Sequence, residues 1–360
     1  MEQFSCKTRI YAGENAVSVL SELQVGRLLM VTDPYFFENG TARRIAESAA
    51  PVAVKYFHRV QPDPSAALAA EGTAVVQAFN PDTIVTLGGG SAMDCAKAMA
   101  YFSGTTARLI AIPTTSGSGS EVTDFAILTH DGVKHPLVDP KLRPQIAILD
   151  SELVSKLPPS LVADGGFDVL THALEAFTAT GAGAITDALA LSAFRTAFTL
   201  LPASFGGQQN ARTHIHTAAT MAGLAFTQAG LGVCHALAHS LGGEFHIPHG
   251  RLNAILLPAV ITANAPAAGK KYAALAQSIG LEGRAETIGV RNLRSALIRL
   301  RKALGLPATL AQAGVSPVAL REKTATIVHA ALADPCCNTN PVPVTEPMLR
   351  QILNEVAAHA

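Results

Sequence analysis

The sequence predicts an α/β, Rossmann-like amino-terminal domain over residues 1–157 and an all-α carboxy-terminal domain over residues 158–360. Up to about residue 150, short β-branched runs alternate with helical stretches, which is the pattern of a parallel α/β sheet. Beyond that point, long Ala- and Leu-rich stretches have the apolar spacing of helices. The segment LPPSL separates the two textures, because a Pro-Pro pair interrupts regular structure.

The predicted strands come from five runs in the first half: residues 27–33, 52–58, 82–90, 108–115 and 145–150. Segments such as IVTL are apolar throughout, as expected of strands that a parallel sheet buries on both faces. Four of the five runs end in Asp, Gly or Pro-Thr. Because ligands of open α/β sheets bind at the carboxyl ends of the strands, we expect a ligand site at this edge.

The composition excludes several classes of partner. The 360 residues include 27 Lys and Arg against 27 Asp and Glu, so the chain offers no basic field for nucleic acid or an anionic membrane. The longest uncharged apolar stretch that we identify, residues 254–261, is shorter than the roughly 18 residues of a spanning helix. Charged residues make up only 15%, which predicts apolar contacts between copies and thus a homodimer or a higher homo-oligomer.

The cysteines and the amino terminus indicate the compartment. The five cysteines contain no CxxC pair, so they predict neither a disulfide framework nor a zinc knuckle. The opening MEQFSCKTRIYAG has no apolar targeting region. We therefore expect a reducing, cytoplasmic location.

A glycine-rich turn follows the run at 82–90, in the segment TLGGGSAMDCAK. Gly88, Gly89 and Gly90 allow close approach of a pyrophosphate, and the helix that follows presents free N–H groups to an anion. Ser91 is placed to cap this helix and Asp94, three residues on, to complete a capping box. Asp94 is counted among the candidate cofactor-binding residues of this turn. The alternative is a tight connection without a ligand, since the turn lacks the GxGxxG pattern.

A hydroxyl-rich loop, AIPTTSGSGSEVT, follows the next strand and strengthens the case for a phosphate or ribose site. Asp33 closes the first run, where it can accept from a ribose 2′-OH and repel a 2′-phosphate, which would favour NAD over NADP. A helix N-cap before Pro34 explains Asp33 equally well.

The helical half contains a metal-binding pattern. Asp168 and His172 are four residues apart and so share one helix face. Four histidines, His235, His239, His246 and His249, fall within LGVCHALAHSLGGEFHIPHG, although the chain has only 12 in all. A carboxylate and imidazoles can hold one divalent cation, and their burial would be costly without an ion or mutual pairing.

The spacing leaves the ligand pairing open. His235 and His239 are again four residues apart, whereas His235 and His249 would stand about 21 Å apart on one unbroken helix. Gly242, Gly243 and Pro248 are expected to break that helix, which would also allow His235 to pair with His249.

Four motifs together, GGGSAMDCAK, IPTTSGSGSEVT, GGFDVLTHALEA and CHALAHSLGGEFHIPHG, resemble the iron-dependent (group III) alcohol dehydrogenase family over nearly the whole chain. The segments FSCKTRIYAG, LTHALEAFTA and DPCCNTNPVPVT are most similar to the NADH-dependent 1-propanol dehydrogenase branch of propanediol utilisation. The alcohol dehydrogenases of ethanolamine utilisation are also similar. The implied fold is the dehydroquinate synthase-like fold of these enzymes.

The resemblance implies roles for individual residues. The metal ligands would be Asp168, His172, His235 and His249, with His239 as a catalytic residue that relays protons beside the metal. Phe226 and Cys336 would line the substrate pocket. The cofactor would be bound by Asp33, Gly89, Gly90, Ser91, Thr114, Thr115, Ser118 and Lys134.

The implied function is the reversible reduction of a short-chain aldehyde, propanal or acetaldehyde, to the primary alcohol with NADH and Fe²⁺ or Zn²⁺. The expected active site is the cleft between the two domains. The branch also implies possible enclosure in a bacterial microcompartment, with shell or enzyme partners. The alternatives are a zinc enzyme of the same fold acting on a phosphorylated or acidic substrate, and a non-catalytic metal- or nucleotide-binding protein. The first alternative calls for a basic pocket, and the segment 164–177 has no Arg or Lys.

Overall fold

The computed structural model describes residues 4–130 and 133–357, so the predicted outer bounds 1 and 360 lie outside it. The chain divides into two compact units, Ser5–Leu157 and a second that begins at Pro158. The first unit is an α/β domain and the second is helical, which confirms the predicted fold class.

The first unit is built on a parallel sheet. Its six strands among the described residues are β1 (Arg9–Gly13), β2 (Arg27–Thr32), β3 (Ala53–Phe57), β4 (Thr83–Gly88), β5 (Arg108–Pro113) and β8 (Ile146–Asp150). A separate antiparallel hairpin joins β6 (Phe125–His130) and β7 (Val133–Val138). Its helices are α1 (Pro34–Glu38), α2 (Thr41–Ser48), α3 (Ala66–Phe79) and α4 (Gly90–Ser103). The strand β1 and the hairpin are additions to the five strands that the sequence predicts.

The sheet buries both of its faces. The strand order is β1-β8-β5-β4-β2-β3, and every residue of the central strand β4 is buried. Val85 belongs to the apolar core on one face and Ile84 to the core on the other, as the two-residue period of a strand requires. The chain runs outward from β2 to β3, then returns and runs the other way from β4 to β5. A switch of this kind lies where open α/β sheets bind ligands.

The N-terminus of α4, which follows the glycine turn, is capped differently from the prediction. Gly89 is the N-cap, in extended conformation, and no side chain caps the helix. Because β4 ends at Gly88 and α4 begins at Gly90, Ser91 already lies within the first helical turn. The predicted capping box of Ser91 and Asp94 is therefore wrong.

The second unit is a set of packed helices. They are α5 (Pro159–Thr178), α6 (Ala184–Phe205), α7 (Gln209–Ala229), α8 (Val233–Phe245), α9 (His249–Ser278), α10 (Glu286–Ala303), α11 (Pro317–Ala333) and α12 (Glu346–Ala357). Helix α5 packs against α6, α7 and α9, and it is buried on nearly every side from Val162 to Thr178. A helix that is apolar all round belongs in a core, so its few polar side chains need partners there.

Helix α8 ends later than expected. It continues through Gly242 and Gly243, so the prediction that these glycines break the helix is wrong. The break comes at His246, which adopts a left-handed conformation with φ of 54°, and α9 begins at His249 directly after Pro248. The bend turns the chain and places His249 at the first position of the next helix.

Helices α6 and α9 are long and apolar enough to span a membrane by length and composition alone. This corrects the sequence-based expectation, which counted only the run at 254–261 and overlooked the uncharged small residues around it. In α9, 72% of the most apolar window is buried inside the protein, against 33% in α6. The apolar character of α9 is that of a core helix.

Candidate active site

In the first unit, the glycine turn and the hydroxyl loop lie against each other at the carboxyl ends of β4 and β5. A Cβ atom at Gly89 would lie 3.1 Å from Thr115 Oγ1, and one at Gly90 would lie 3.3 Å from the Ser118 side chain. The backbone N–H of Thr114 donates to the Gly88 carbonyl at 3.0 Å. The structure therefore brings these predicted cofactor residues together, and the half-buried Ser91 follows in the first turn of α4.

Asp33 lies at the same edge, at the end of β2. Its Oδ1 accepts from the Phe36 N–H at 3.0 Å, so the side chain is the N-cap of α1. Its Oδ2 lies 3.8 Å from the position of a Cβ on Gly88. Burial raises the pKa of the carboxyl, and the N–H groups of Phe36 and Tyr35 oppose the rise. Capping uses one oxygen, and the other lies beside the glycine turn.

Two further predicted cofactor residues have protein partners. Asp94 accepts from Ser120 Oγ at 2.9 Å and from the Ile127 N–H at 3.2 Å, which ties α4 to the hydroxyl loop and to β6. Burial raises the pKa of Asp94, although the nearby Lys97 opposes this. Lys134, on β7, forms an ion pair with Asp63 at 2.6 Å. The two hydrogen bonds of Asp94 thus hold the hydroxyl-rich loop and β6 against α4.

In the second unit, the predicted metal ligands converge from three helices. Asp168 and His172 lie one turn apart on α5, His235 lies in the first turn of α8, and His249 begins α9. Asp168 Oδ1 lies 3.7 Å from His172 Nδ1, 3.8 Å from His235 Nε2 and 3.5 Å from His249 Nε2. His235 is thus grouped with His249 around Asp168, because the bend after α8 turns the chain back.

The electrostatics of this cluster suit a cation. Burial opposes the charge of Asp168, but the surrounding histidines outweigh it and hold its pKa well below the usual range. Burial likewise opposes protonation of His235, but Asp168 and Glu175 raise its pKa to about 9. For His249, burial dominates and lowers the pKa well below the usual value. Two carboxylates thus favour positive charge at His235, which a divalent ion can supply in place of a proton.

His239 faces a different acid. Its Nδ1 lies 2.8 Å from Asp334 Oδ2, and its ring stacks on that of His249 at 5.1 Å between centroids. Against the effect of burial, His239 lowers the pKa of Asp334 to about 2. Donor atoms of His239, Asp334 and Cys336 lie within 4.8 Å of one another, as do those of Asp168, His235 and His249. Burial and Asp334 raise the pKa of Cys336 well above its usual value, which makes the thiol a poor ligand in this second set.

Phe226, on α7, packs against the cluster. Its ring stacks on that of His172 with 4.5 Å between centroids, and the side chain is buried. Cys336 lies in a short 3₁₀ segment, Pro335–Thr339, next to Asp334. Both predicted pocket residues therefore lie beside the histidines.

Comparison with known proteins identifies the family. The model of the iron-containing alcohol dehydrogenases matches residues 7–151, and that of the carboxy-terminal part of the same family matches residues 162–357. The chain belongs to the iron-containing alcohol dehydrogenase family. The 1-propanol dehydrogenase PduQ of Salmonella typhimurium is 40% identical over 99% of this chain and the whole of the relative.

Solved structures agree with this assignment. A 1,3-propanediol oxidoreductase superposes with a TM-score of 0.92 at 31% identity, covering 99% of this chain and 100% of the other. A sulfoacetaldehyde reductase from Bifidobacterium kashiwanohense, solved in complex with NAD⁺, has a TM-score of 0.89 at 27% identity and covers both chains fully. This iron-containing alcohol dehydrogenase family member is accordingly an oxidoreductase of the alcohol dehydrogenase type.

The residues present fit the metal that the family name implies. Nε2 of His235 is buried and makes no hydrogen bond to any described residue, and it faces Asp168 Oδ1 across 3.8 Å. One carboxylate and three imidazoles form a donor set suited to Fe²⁺ or Zn²⁺. A metal ion bound by this donor set would satisfy that nitrogen.

Three residues that contact the site were not predicted from the sequence: Glu175, Asn253 and Asp334. Asn253 Nδ2 donates to Asp168 Oδ1 at 2.9 Å, and Glu175 Oε2 lies 2.6 Å from His235 Nδ1. The only sequence signal was Glu175, a charged residue in an apolar helix, three positions after His172 and hence on the same face. Asn253 and Asp334 are distant in sequence from the groups that they contact, so spacing gave no sign of them.

Proposed function

We propose that this chain reduces a short-chain aldehyde, such as propanal, to the primary alcohol with NADH at Fe²⁺ or Zn²⁺ held by Asp168, His172, His235 and His249. The convergence of three histidine nitrogens on Asp168 Oδ1 at 3.5 to 3.8 Å carries the proposal. The full-length similarity to 1-propanol dehydrogenase supports the substrate class.

His239, Asp334 and Phe226 would have different roles in this reduction. When bound, the metal polarises the carbonyl and NADH supplies the hydride. Asp334 holds His239 through Nδ1, which leaves Nε2 of His239 to deliver a proton toward the product oxygen. The buried ring of Phe226 against His172 gives the substrate an apolar wall and helps to exclude water.

The cofactor is assigned to the first unit. The glycine turn and Thr114, Thr115 and Ser118 would bind the pyrophosphate through backbone N–H groups and hydroxyls. Asp33 Oδ2, which is not used in the helix cap, would accept from the ribose 2′-OH and so favour NADH over NADPH.

The test is anaerobic NADH oxidation with propanal, measured on the purified protein, after chelation, and after addition of Fe²⁺ or Zn²⁺. We expect activity to be lost on chelation and restored by metal. His249→Ala should lose metal and activity together, whereas His329→Ala, at an exposed histidine of the same unit, should lose neither. His239→Ala should lower the rate and keep the metal; loss of metal in that variant would contradict the ligand assignment.

If NADH binds and metal is restored but propanal is not reduced, the aldehyde assignment fails, and phosphorylated or acidic substrates become the candidates. The physiological direction, the homo-oligomer and the cytoplasmic or microcompartment location stay predictions. Sedimentation of the purified protein would measure the oligomer directly.

A further inference from the structure

We propose that Glu175 is a positioning residue that fixes both the tautomer of His235 and the place of the helix that carries it. The inference rests on the proposed function, because it concerns a residue behind one metal ligand. The contacts of the two Glu175 carboxylate oxygens carry the argument.

The first turn of α8 has no N-cap side chain that could accept hydrogen bonds from its backbone N–H groups. Its N-cap, Gly232, has no side chain, and Val233, Cys234 and His235 are at most 1% exposed, so water cannot satisfy their N–H groups. The first N–H groups of any helix need acceptors from outside. Here Glu175 Oε2 accepts from Gly232 N at 3.0 Å and Glu175 Oε1 accepts from Cys234 N at 2.8 Å.

A second side chain completes the cap. Asn340 Oδ1 accepts from the N–H of Val233 at 3.1 Å. A Cβ at Gly232 would lie 2.7 Å from Glu175 Oε1 and 2.8 Å from Asn340 Oδ1, so a glycine is required where these two acceptors approach the backbone. The position of α8 along its own axis is therefore set by groups on α5 and on the segment after Pro335.

The same carboxylate reaches the ring of His235. Glu175 Oε2 lies 2.6 Å from His235 Nδ1, and an ionised carboxylate only accepts, so Nδ1 carries the proton in this bond. In the neutral ring Nε2 then has the free lone pair, and Nε2 is the nitrogen that faces Asp168 Oδ1. Carboxylates that bind the second nitrogen of a metal-ligating histidine typically improve metal affinity 10- to 100-fold.

A pair of variants separates the two roles. Glu175→Gln keeps the size of the side chain but has one acceptor atom, so it cannot accept from all three N–H groups. Asn340→Ala removes a cap bond from the same helix, together with the hydrogen bonds of Asn340 to Asn264 and Val342, and it leaves the contact between Glu175 and His235 in place. We measure Fe²⁺ affinity anaerobically by competition with a chelator of known affinity, which does not depend on turnover.

We expect about 10- to 100-fold weaker Fe²⁺ binding in Glu175→Gln and a change of less than about threefold in Asn340→Ala, which should show mainly a lower melting temperature. Equal affinity in Glu175→Gln and wild type would overturn the inference. So would an equal loss in both variants, because capping alone would then explain it.

The hydrogen bond to Nδ1 is itself measured in the wild type, which does not depend on a variant folding. In Zn²⁺-loaded, ¹⁵N-histidine-labelled protein the metal would occupy Nε2 of His235, so the informative signal is the Nδ1 proton, which should be shifted downfield by the short hydrogen bond to Glu175. An Nδ1 proton that lacks this shift would overturn the inference. If wild type binds no metal, or if His249→Ala leaves the affinity unchanged, the proposed metal site fails instead, so the two failures are distinguishable.

Discussion

Gly250, the second residue of α9, allows α9 to approach the backbone of α5 closely. A Cβ atom there would lie 1.9 Å from the backbone carbonyl oxygen of Asp164 on α5. Ordinary contacts begin near 3.4 Å, so Gly250→Ala must push the two helices apart by about 1.5 Å. The atom that the Cβ would meet belongs to the backbone of α5, which cannot rotate aside as a flexible side chain can. In addition, Arg251 holds the two helices together through two hydrogen bonds to Asp164 at 3.2 and 2.9 Å.

Two losses follow from this displacement. Overpacking of this kind costs about 3 kcal/mol or more, which corresponds to a fall in melting temperature of about 6–12 °C in a unit of this size. His249 precedes Gly250 and moves with it, and metal sites tolerate only about 0.2 Å in ligand distances. We therefore expect Gly250→Ala to lose its metal even at temperatures where it remains folded.

Thermal unfolding with and without added Fe²⁺, together with metal content by mass spectrometry, measures both effects. The matched control is Gly206→Ala, because a Cβ at the exposed Gly206 would meet only carbonyl oxygens at 3.5 Å. If Gly250→Ala melts and binds metal as the control does, the close approach of α9 to α5 is not what places His249.

Three other variants test separate parts of the structure. Burial lowers the pKa of His216 to about 4, below the 6.5 of an exposed histidine, so the unfolded chain takes up a proton at a higher pH than the folded chain. The free energy of unfolding should therefore fall by about 3 kcal/mol between pH 6.5 and 4, and urea unfolding of His216→Gln should show a smaller fall. Burial lowers the pKa of Lys97 to about 8, against 10.5 for an exposed lysine, so the unfolded chain keeps its proton up to a higher pH than the folded chain. The free energy of unfolding should therefore rise by about 3 kcal/mol between pH 8 and 10.5, and Lys97→Met should lack that rise in urea unfolding. Asp33→Asn keeps an acceptor for the cap of α1 but removes the charge, so kcat/KM for NADPH should rise relative to that for NADH; an unchanged ratio would exclude Asp33 from the cofactor choice.

The sequence predicted what local patterns determine. Apolar runs such as IVTL located the central strands, and the four-residue spacing of Asp168 and His172 placed both on one face of α5. The break after α8 was expected at Gly242, Gly243 and Pro248. Pro248 does lie at the break, directly before α9, but the two glycines are accommodated inside α8, and the left-handed His246 ends that helix.

What remained unpredicted depends on tertiary contacts. Strand β1 pairs with β8 across more than 130 residues, and Arg9 opposite Ile146 has no local signal. The hairpin strand β7 contains Pro136, which argues against a strand but is accepted in a two-stranded edge. Asp94 was assigned to a cap from its spacing, whereas it bonds to a serine 26 residues away.

The caps of α8 also determine when this part of the molecule can form. Their acceptors come from residues 57 to 107 positions away in the chain, so the first turn of α8 gains its hydrogen bonds only after distant segments have come together. Contacts of such long range form late, because the chain must first give up the entropy of closing the intervening loops. A nascent or partly unfolded chain therefore presents scattered histidines rather than a gathered donor set, and tight metal capture belongs to the completed fold.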